Sequence, residues 1–438
     1  MLNRLLKILG AAFLGMAMWI WIQTIAIPRQ MLESAEQGKP RGNLSDLYPR
    51  WLGARELLLH HRDPYREDIT REIQAGYYGR VLDPNRPNDP HDQQAFAYPV
   101  YVVLMLAPTV TLEFSTVQRA FFWLLALLVI ASVPIWLQSL GWRHSATDVV
   151  LWISLTLCSF PAIQGLKLQQ LTLLVVALLA VVMWALVCRQ FMMAGTLLAL
   201  ATIKPQLVFL VICWLGLWTL GNWRERQRVM WAFGVAMAVL VIAGEVLLPG
   251  WISEFRGAMK DYYRYTGGGT SVLDAALPAN LGRITAVVLV GMLAIFVWRE
   301  RRTDERSAGF QWLMCFTLAT TLLVIPMFAP YNQVLLVPGV MMVVRARRQL
   351  WEKSPLSRFL CVLAGASVLS PFLLATCLVI LLAFLPLQTV QKAWSLPFFY
   401  PSFAMPITMF LLLLFSKKVL SAGNESADSR GEPARLAT

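Results

Sequence analysis

About a dozen apolar runs, each roughly twenty residues long, follow one another between residues 8 and 416. A run of that length is enough to cross a hydrocarbon core of about 30 Å. Lipid offers no hydrogen bonds, so every backbone N–H and C=O inside such a run must be satisfied within the segment. That requirement selects helices. Composition points the same way. The chain is 57% hydrophobic and 14% charged, where soluble domains carry about a quarter charged residues. A large soluble helical protein would lack the polar surface to cover itself. The expected fold is an all-α polytopic membrane protein with about 11–13 transmembrane helices.

The candidate spans are 8–27, 98–113, 119–138, 148–163, 168–188, 192–220, 229–248, 284–298, 309–326, 331–344, 357–386 and 401–416. Lys204-Pro205 interrupts one and Pro371 another, so each is either a kinked helix or two pieces. The run at 98–113 is short and reads as partly re-entrant. The first run follows Arg4 and Lys7. It is long for a signal-peptide core and lacks a small-residue cleavage site, so it is expected to remain as the first helix.

The net charge of +13 does not point to nucleic acid, because of where the charge sits. The polar stretch 28–97 holds ten Arg and Lys against eleven Asp and Glu. The surplus lies in short loops: Arg224, Arg226 and Arg228; Arg299, Arg301, Arg302 and Arg306; Arg345, Arg347, Arg348, Lys353 and Arg358. That is the positive-inside pattern of cytoplasmic loops. It places both termini in the cytoplasm of a multi-pass protein of the cell (inner) membrane, and loops 28–97 and 249–283 outside. Residues 1–416 read as one transmembrane domain, and 417–438 as a disordered cytoplasmic tail. Six cysteines lie in or beside apolar runs without a C-x-x-C pair, which favours core packing over metal ligation or disulfides. The four histidines have no metal-site spacing, and neither a P-loop nor a G-x-S-x-G motif is present.

A long carboxylate-bearing loop after the first span is where chemistry is expected. Asp46 stands before an amphipathic stretch, Trp51 to Leu59, suited to a membrane surface. It is either a base at the interface or merely the cap of that helix. Lys204 is a cation in an apolar run, so it has a partner such as phosphate or it snorkels to the interface. Gln164, Lys167, Gln169 and Gln170 form a polar cluster between two spans, and Pro326 to Gln333 a second break with Tyr331 and Asn332. In the second outer loop Asp261 to Tyr265 precedes a run of glycines, Gly267 to Gly269.

Taken in order, five segments resemble glycosyltransferase family 87 of the GT-C superfamily, the membrane transferases that use lipid-phosphate sugars. They are Ser45-Asp46-Leu47-Tyr48 through Asp63-Pro64-Tyr65; Phe96-Ala97-Tyr98-Pro99; Gln169-Gln170-Leu171-Thr172; Ala194-Gly195-Thr196 through Ile203-Lys204-Pro205; and Ala329-Pro330-Tyr331-Asn332. The chain departs from the family pattern at Val100 (often proline), at Gln169 and Thr172 (Gly and Asn in G-Q-x-N), and at Arg62 (often glycine). The resemblance implies a GT-C-like fold with a long first extracytoplasmic loop. It implies inverting transfer of a sugar, typically mannose, from a polyprenyl monophosphate to a lipid or glycan acceptor, with no cofactor and no metal required. Asp46 would be the general base. Lys204, with Arg283, would stabilise the leaving phosphate. Gln170, Tyr331, Asn332, Tyr65 and Asp63 would complete the substrate site. The competing readings are a transporter or flippase of lipid-linked sugars and a non-catalytic scaffold of envelope glycan assembly.

Overall fold

The computed structural model describes residues 2–83, 85–265, 270–326 and 328–421. Among them there are helices and no strand, so the protein is an all-α polytopic membrane protein. Six helices are long and apolar enough to cross a bilayer, or seven if the bent pair Ala146–Leu157 and Phe160–Lys167 counts as one span. Four shorter apolar helices (Thr172–Val187, Phe191–Ile203, Pro205–Gly221 and Ala308–Val324) bring the apolar segments to eleven.

The differences from the expected spans have local causes. The first helix does not stop at Ile27. It continues through a π-turn, Trp21–Ala26, and on to Glu36. Pro28 lies just past that turn; its missing N–H breaks the regular ladder, and the wider turn absorbs the defect. The run 98–113 does not span. It makes a five-residue helix, Val102–Leu106, followed by a 3-10 turn, Ala107–Thr109, that contains Pro108. The run 331–344 divides into the 3-10 helix Pro330–Leu336 and the short helix Val337–Arg345. The two proline-bearing runs resolve in opposite ways. Lys204-Pro205 breaks its run in two, whereas Pro371 is carried inside one continuous helix, Pro355–Leu381.

Ala308–Val324 is the central element, buried along nearly its whole length from Gly309 to Leu323. A helix apolar all round belongs inside a bundle. Its few hydroxyls turn back onto their own helix, as Thr317, Thr320 and Thr321 each donate to the carbonyl four residues earlier. Around it Trp214 and Trp218 pack on its Phe310, Phe296 on its Trp312, and Phe410 on its Phe316. At the end of the bundle with the basic loops, buried Glu305 holds Arg189 at 2.5 Å, and Arg226 donates to the carbonyls of Trp218, Arg301 and Thr303.

The loop after the first helix folds into a cap. Helices Tyr48–His60 and Glu67–Tyr78 enclose Phe96 with Leu47, Trp51, Ile69 and Ile73, all buried. The apolar face of Tyr48–His60 is thus used inside the protein, not laid on lipid. Residues Lys417–Ser421, expected in the disordered tail, are helical with Leu420 buried. Residues 422–438 and the glycine run 267–269 lie outside the described residues.

Small residues let two helices approach closely. A Cβ added at Gly195 would sit 2.2 Å from the carbonyl oxygen of Val229 on helix Trp223–Leu247, whereas one at Gly234 meets nothing within 4 Å. Gly195→Ala should therefore lower the melting midpoint of the purified protein, by an overpacking cost of about 1–3 kcal/mol. Gly234→Ala should leave it unchanged.

Candidate active site

Asp46 is fixed by its backbone on two sides. Its N–H donates to Leu168 O at 3.0 Å, while Asn43 and Leu44 donate to the carbonyls of Gly76 and Tyr77 at the end of the second cap helix. Next to it Ser45, fully buried, donates to Gln169 Oε1 at 2.6 Å. Asp46 does not cap the helix that follows, which begins after Leu47 without a side-chain cap. Its carboxylate instead accepts from Tyr77 OH at 3.0 Å and from Gln170 Nε2. Burial, and then the nearby Asp46 charge, hold the Tyr77 phenol well above the ordinary tyrosine pKa, so it remains a donor.

Gln170 is placed by the end of helix Phe160–Lys167. The chain turns at Gln169 with φ +49°, in the left-handed conformation that favours glycine at helix ends. That is the physical reason for glycine at this place in G-Q-x-N. Here the strain is offset by the Gln169 side chain, which accepts from Ser45 Oγ and donates to the carbonyls of Leu166 and Lys167. Lys204 is placed by Pro205. The residue before a proline is disfavoured in α geometry, and Lys204 has φ −124° and ψ 78° between two helices. Its ammonium, 4% exposed, donates to Gln170 Oε1 and, at 2.9 Å, to Thr172 Oγ1. Thr172 donates in turn to Asn332 Oδ1 at 2.9 Å, and the Tyr331 ring lies 5.1 Å from the ammonium. One amide, Gln170, thus joins the carboxylate of Asp46 to the ammonium of Lys204. An ammonium has three donors, and no protein acceptor takes the third among the described residues.

These groups line one cavity of about 450 Å³ between the cap and the bundle. Asp46, Gln170, Lys204, Tyr331 and Asn332 are all brought together there. Three other expected site residues are not. Asp63 accepts from its own turn at Tyr65 N, 2.9 Å away, and Tyr65 OH donates to Tyr98 O at 2.6 Å. This D-P-Y turn props up the segment Phe96–Pro99 and does not face the cavity. Arg283 lies exposed on helix Ala279–Arg299, outside the cavity lining. Sequence reasoning missed Arg50, Tyr77 and Asp92, which do line it. It also missed that Phe255, Met259, Tyr262 and Tyr263 share one face of helix Trp251–Tyr265 and form a wall. Their spacing of four, three and one was the available signal. Among the described residues no group of three or more His, Cys, Asp or Glu is placed to hold a metal ion.

A carboxylate, an amide and a buried ammonium thus line one polar cavity set into a membrane bundle beneath a folded cap. The chain belongs to glycosyltransferase family 87, whose model matches residues 96–326. The protein is accordingly a membrane glycosyltransferase. The matched stretch holds Tyr98, Gln170, Thr172 and Lys204, while Asp46, Tyr331 and Asn332 lie outside it. No curated protein and no solved structure matches the chain.

Gln170→Leu removes both hydrogen bonds of the bridge and leaves a buried cation short of an acceptor. It should destabilise the protein by about 1–3 kcal/mol in thermal unfolding and depress turnover. Arg283→Ala should leave turnover unchanged. Burial raises the Asp92 carboxyl above the ordinary value, so the folded chain binds that proton more tightly than the unfolded one. The stability it contributes is present in acid and is lost as pH rises through the folded pKa. Asp92→Asn should flatten that part of the melting-midpoint profile against pH.

Proposed function

We propose that the protein transfers a sugar from a polyprenyl-phosphate carrier to a hydroxyl of a lipid or glycan acceptor, with inversion at the anomeric carbon. Mannose is the sugar the family resemblance favours. The observation that carries the reading is that Asp46 and Lys204 face one cavity and share Gln170. Asp46 is the general base. It takes the acceptor proton as the hydroxyl oxygen bonds to the anomeric carbon, while the bond from that carbon to the phosphate oxygen breaks. The electron pair leaves with the phosphate. Lys204, held in a site from which water is largely excluded, offsets the charge that grows there. A lipid phosphate is already a good leaving group, so no strong acid is needed. The basic loops lie at the other end of the chain's helices, which supports an extracytoplasmic cavity in the cell membrane.

A flippase would account for the helices and for Lys204, but not for a carboxylate and a tyrosine brought to the same cavity by a folded cap. A scaffold would need neither.

The test uses purified protein with radiolabelled polyprenyl-phosphate sugar and analysis of the products. Sugar bonded to a new acceptor supports transfer; movement without bond change contradicts it. Asp46→Asn should lower turnover by about 10²–10⁴-fold while donor binding stays near that of the unaltered protein. Lys204→Ala should weaken donor binding. Normal turnover in both variants would remove this site.

A further inference from the structure

Arg50 is a cation without a direct ion pair among the described residues: the nearby Asp46 carboxylate favours its charge but is not in contact with it. Arg50 lies four residues after Asp46 in the first turn of helix Tyr48–His60, faces the same cavity, and its guanidinium stacks on the Tyr98 ring with Cζ 4.0 Å from the centroid. A guanidinium carries five donors and stays charged at any pH the protein meets. The protein supplies one acceptor, the phenol oxygen of Tyr98. The Nε atom is buried with no partner. Among the described residues no carboxylate forms an ion pair with Arg50.

Other arginines of this chain show what structural use looks like. Arg62 reaches Glu56, Asp68 and Glu72. Arg226 also leaves its Nε unbonded, but its terminal nitrogens reach three carbonyls. Arg50 does neither. Buried charges are paired unless a ligand supplies the partner. The neighbouring Lys204 has one donor uncommitted to protein. Asp46 has both carboxylate oxygens already engaged, by Tyr77 and Gln170.

We propose that Arg50 and Lys204 together form a two-cation cradle for a phosphate carried by a prenyl chain, with Tyr98 as the residue that positions the Arg50 fork. This rests on the reading of the site given above and assigns to Arg50 the role that sequence reasoning gave to Arg283. The planar fork of an arginine matches two phosphate oxygens at once, and a lysine adds a point charge. A sugar phosphodiester carries one negative charge. When the bond to the anomeric carbon breaks, the electron pair stays on the phosphate oxygen and the lipid monophosphate leaves with two. Two cations fit that final charge.

The test measures equilibrium binding to the purified full-length protein with farnesyl monophosphate, farnesol and inorganic phosphate as probes. Farnesyl monophosphate should bind the unaltered protein more tightly than farnesol or inorganic phosphate. Arg50→Gln should weaken farnesyl monophosphate about tenfold or more and leave farnesol unchanged. Arg50→Lys and Tyr98→Phe, which keep the charge or the ring, should each fall between the two and serve where Arg50→Gln does not fold. If the unaltered protein binds farnesol or inorganic phosphate as well as farnesyl monophosphate, the cradle and the lipid-phosphate donor both fail. If it prefers farnesyl monophosphate and the Arg50 variants share that affinity, the cradle alone is overturned and the donor stands.

Discussion

A lysine ammonium held nearly out of reach of solvent inside an apolar bundle is the constraint around which the site is built. Lys204 cannot be left unpartnered at that depth, and the chain meets the demand with partners from three separate segments. Gln170 comes from the turn after Phe160–Lys167, Thr172 from the start of the next helix, and Tyr331, with the Asn332 that holds Thr172, from the 3-10 helix Pro330–Leu336. Each of those segments is an interruption of an otherwise apolar run. The breaks in the bundle therefore exist where the ammonium needs them, and they open the floor of the cavity.

The cap supplies the other half. It is a small folded layer in its own right, with Phe96 at its centre. Gly53 and Gly76 lie so close to Phe96 and to Tyr48 that a Cβ at either would collide with the ring. That packing, together with Leu168 O and Gln169, carries Asp46 to the amide of Gln170. The acid and the cation come from residues 158 positions apart, and neither is set by local structure alone. A hydrogen-bonded amide is a suitable bridge between them, because it donates to one and accepts from the other without adding charge.

The sequence made the floor of the site legible and most of the cap obscure, for one physical reason. In an apolar run a polar residue is costly, so Lys204, Gln170, Tyr331 and Asn332 stood out against their surroundings. In the loop at 28–97 acids and bases are nearly balanced, and charge alone does not tell which side chains turn inward. Arg50, Tyr77 and Asp92 were lost in that background. The spacing of four between Asp46 and Arg50 was the one cue that could have found the arginine. A motif can also be a turn: Asp63 and Tyr65 support the backbone at Tyr98 and lie outside the cavity lining. Length set the helix boundaries only loosely, since a proline can end a helix, as at Pro205, or sit within one, as at Pro371.

The most direct test of the central claim is an experimental structure of the protein with a prenyl-phosphate sugar bound. The account predicts the phosphate within about 3 Å of Lys204 Nζ and the anomeric carbon turned toward the carboxylate of Asp46. A phosphate seated elsewhere, with Asp46 and Lys204 facing separate spaces, would contradict it.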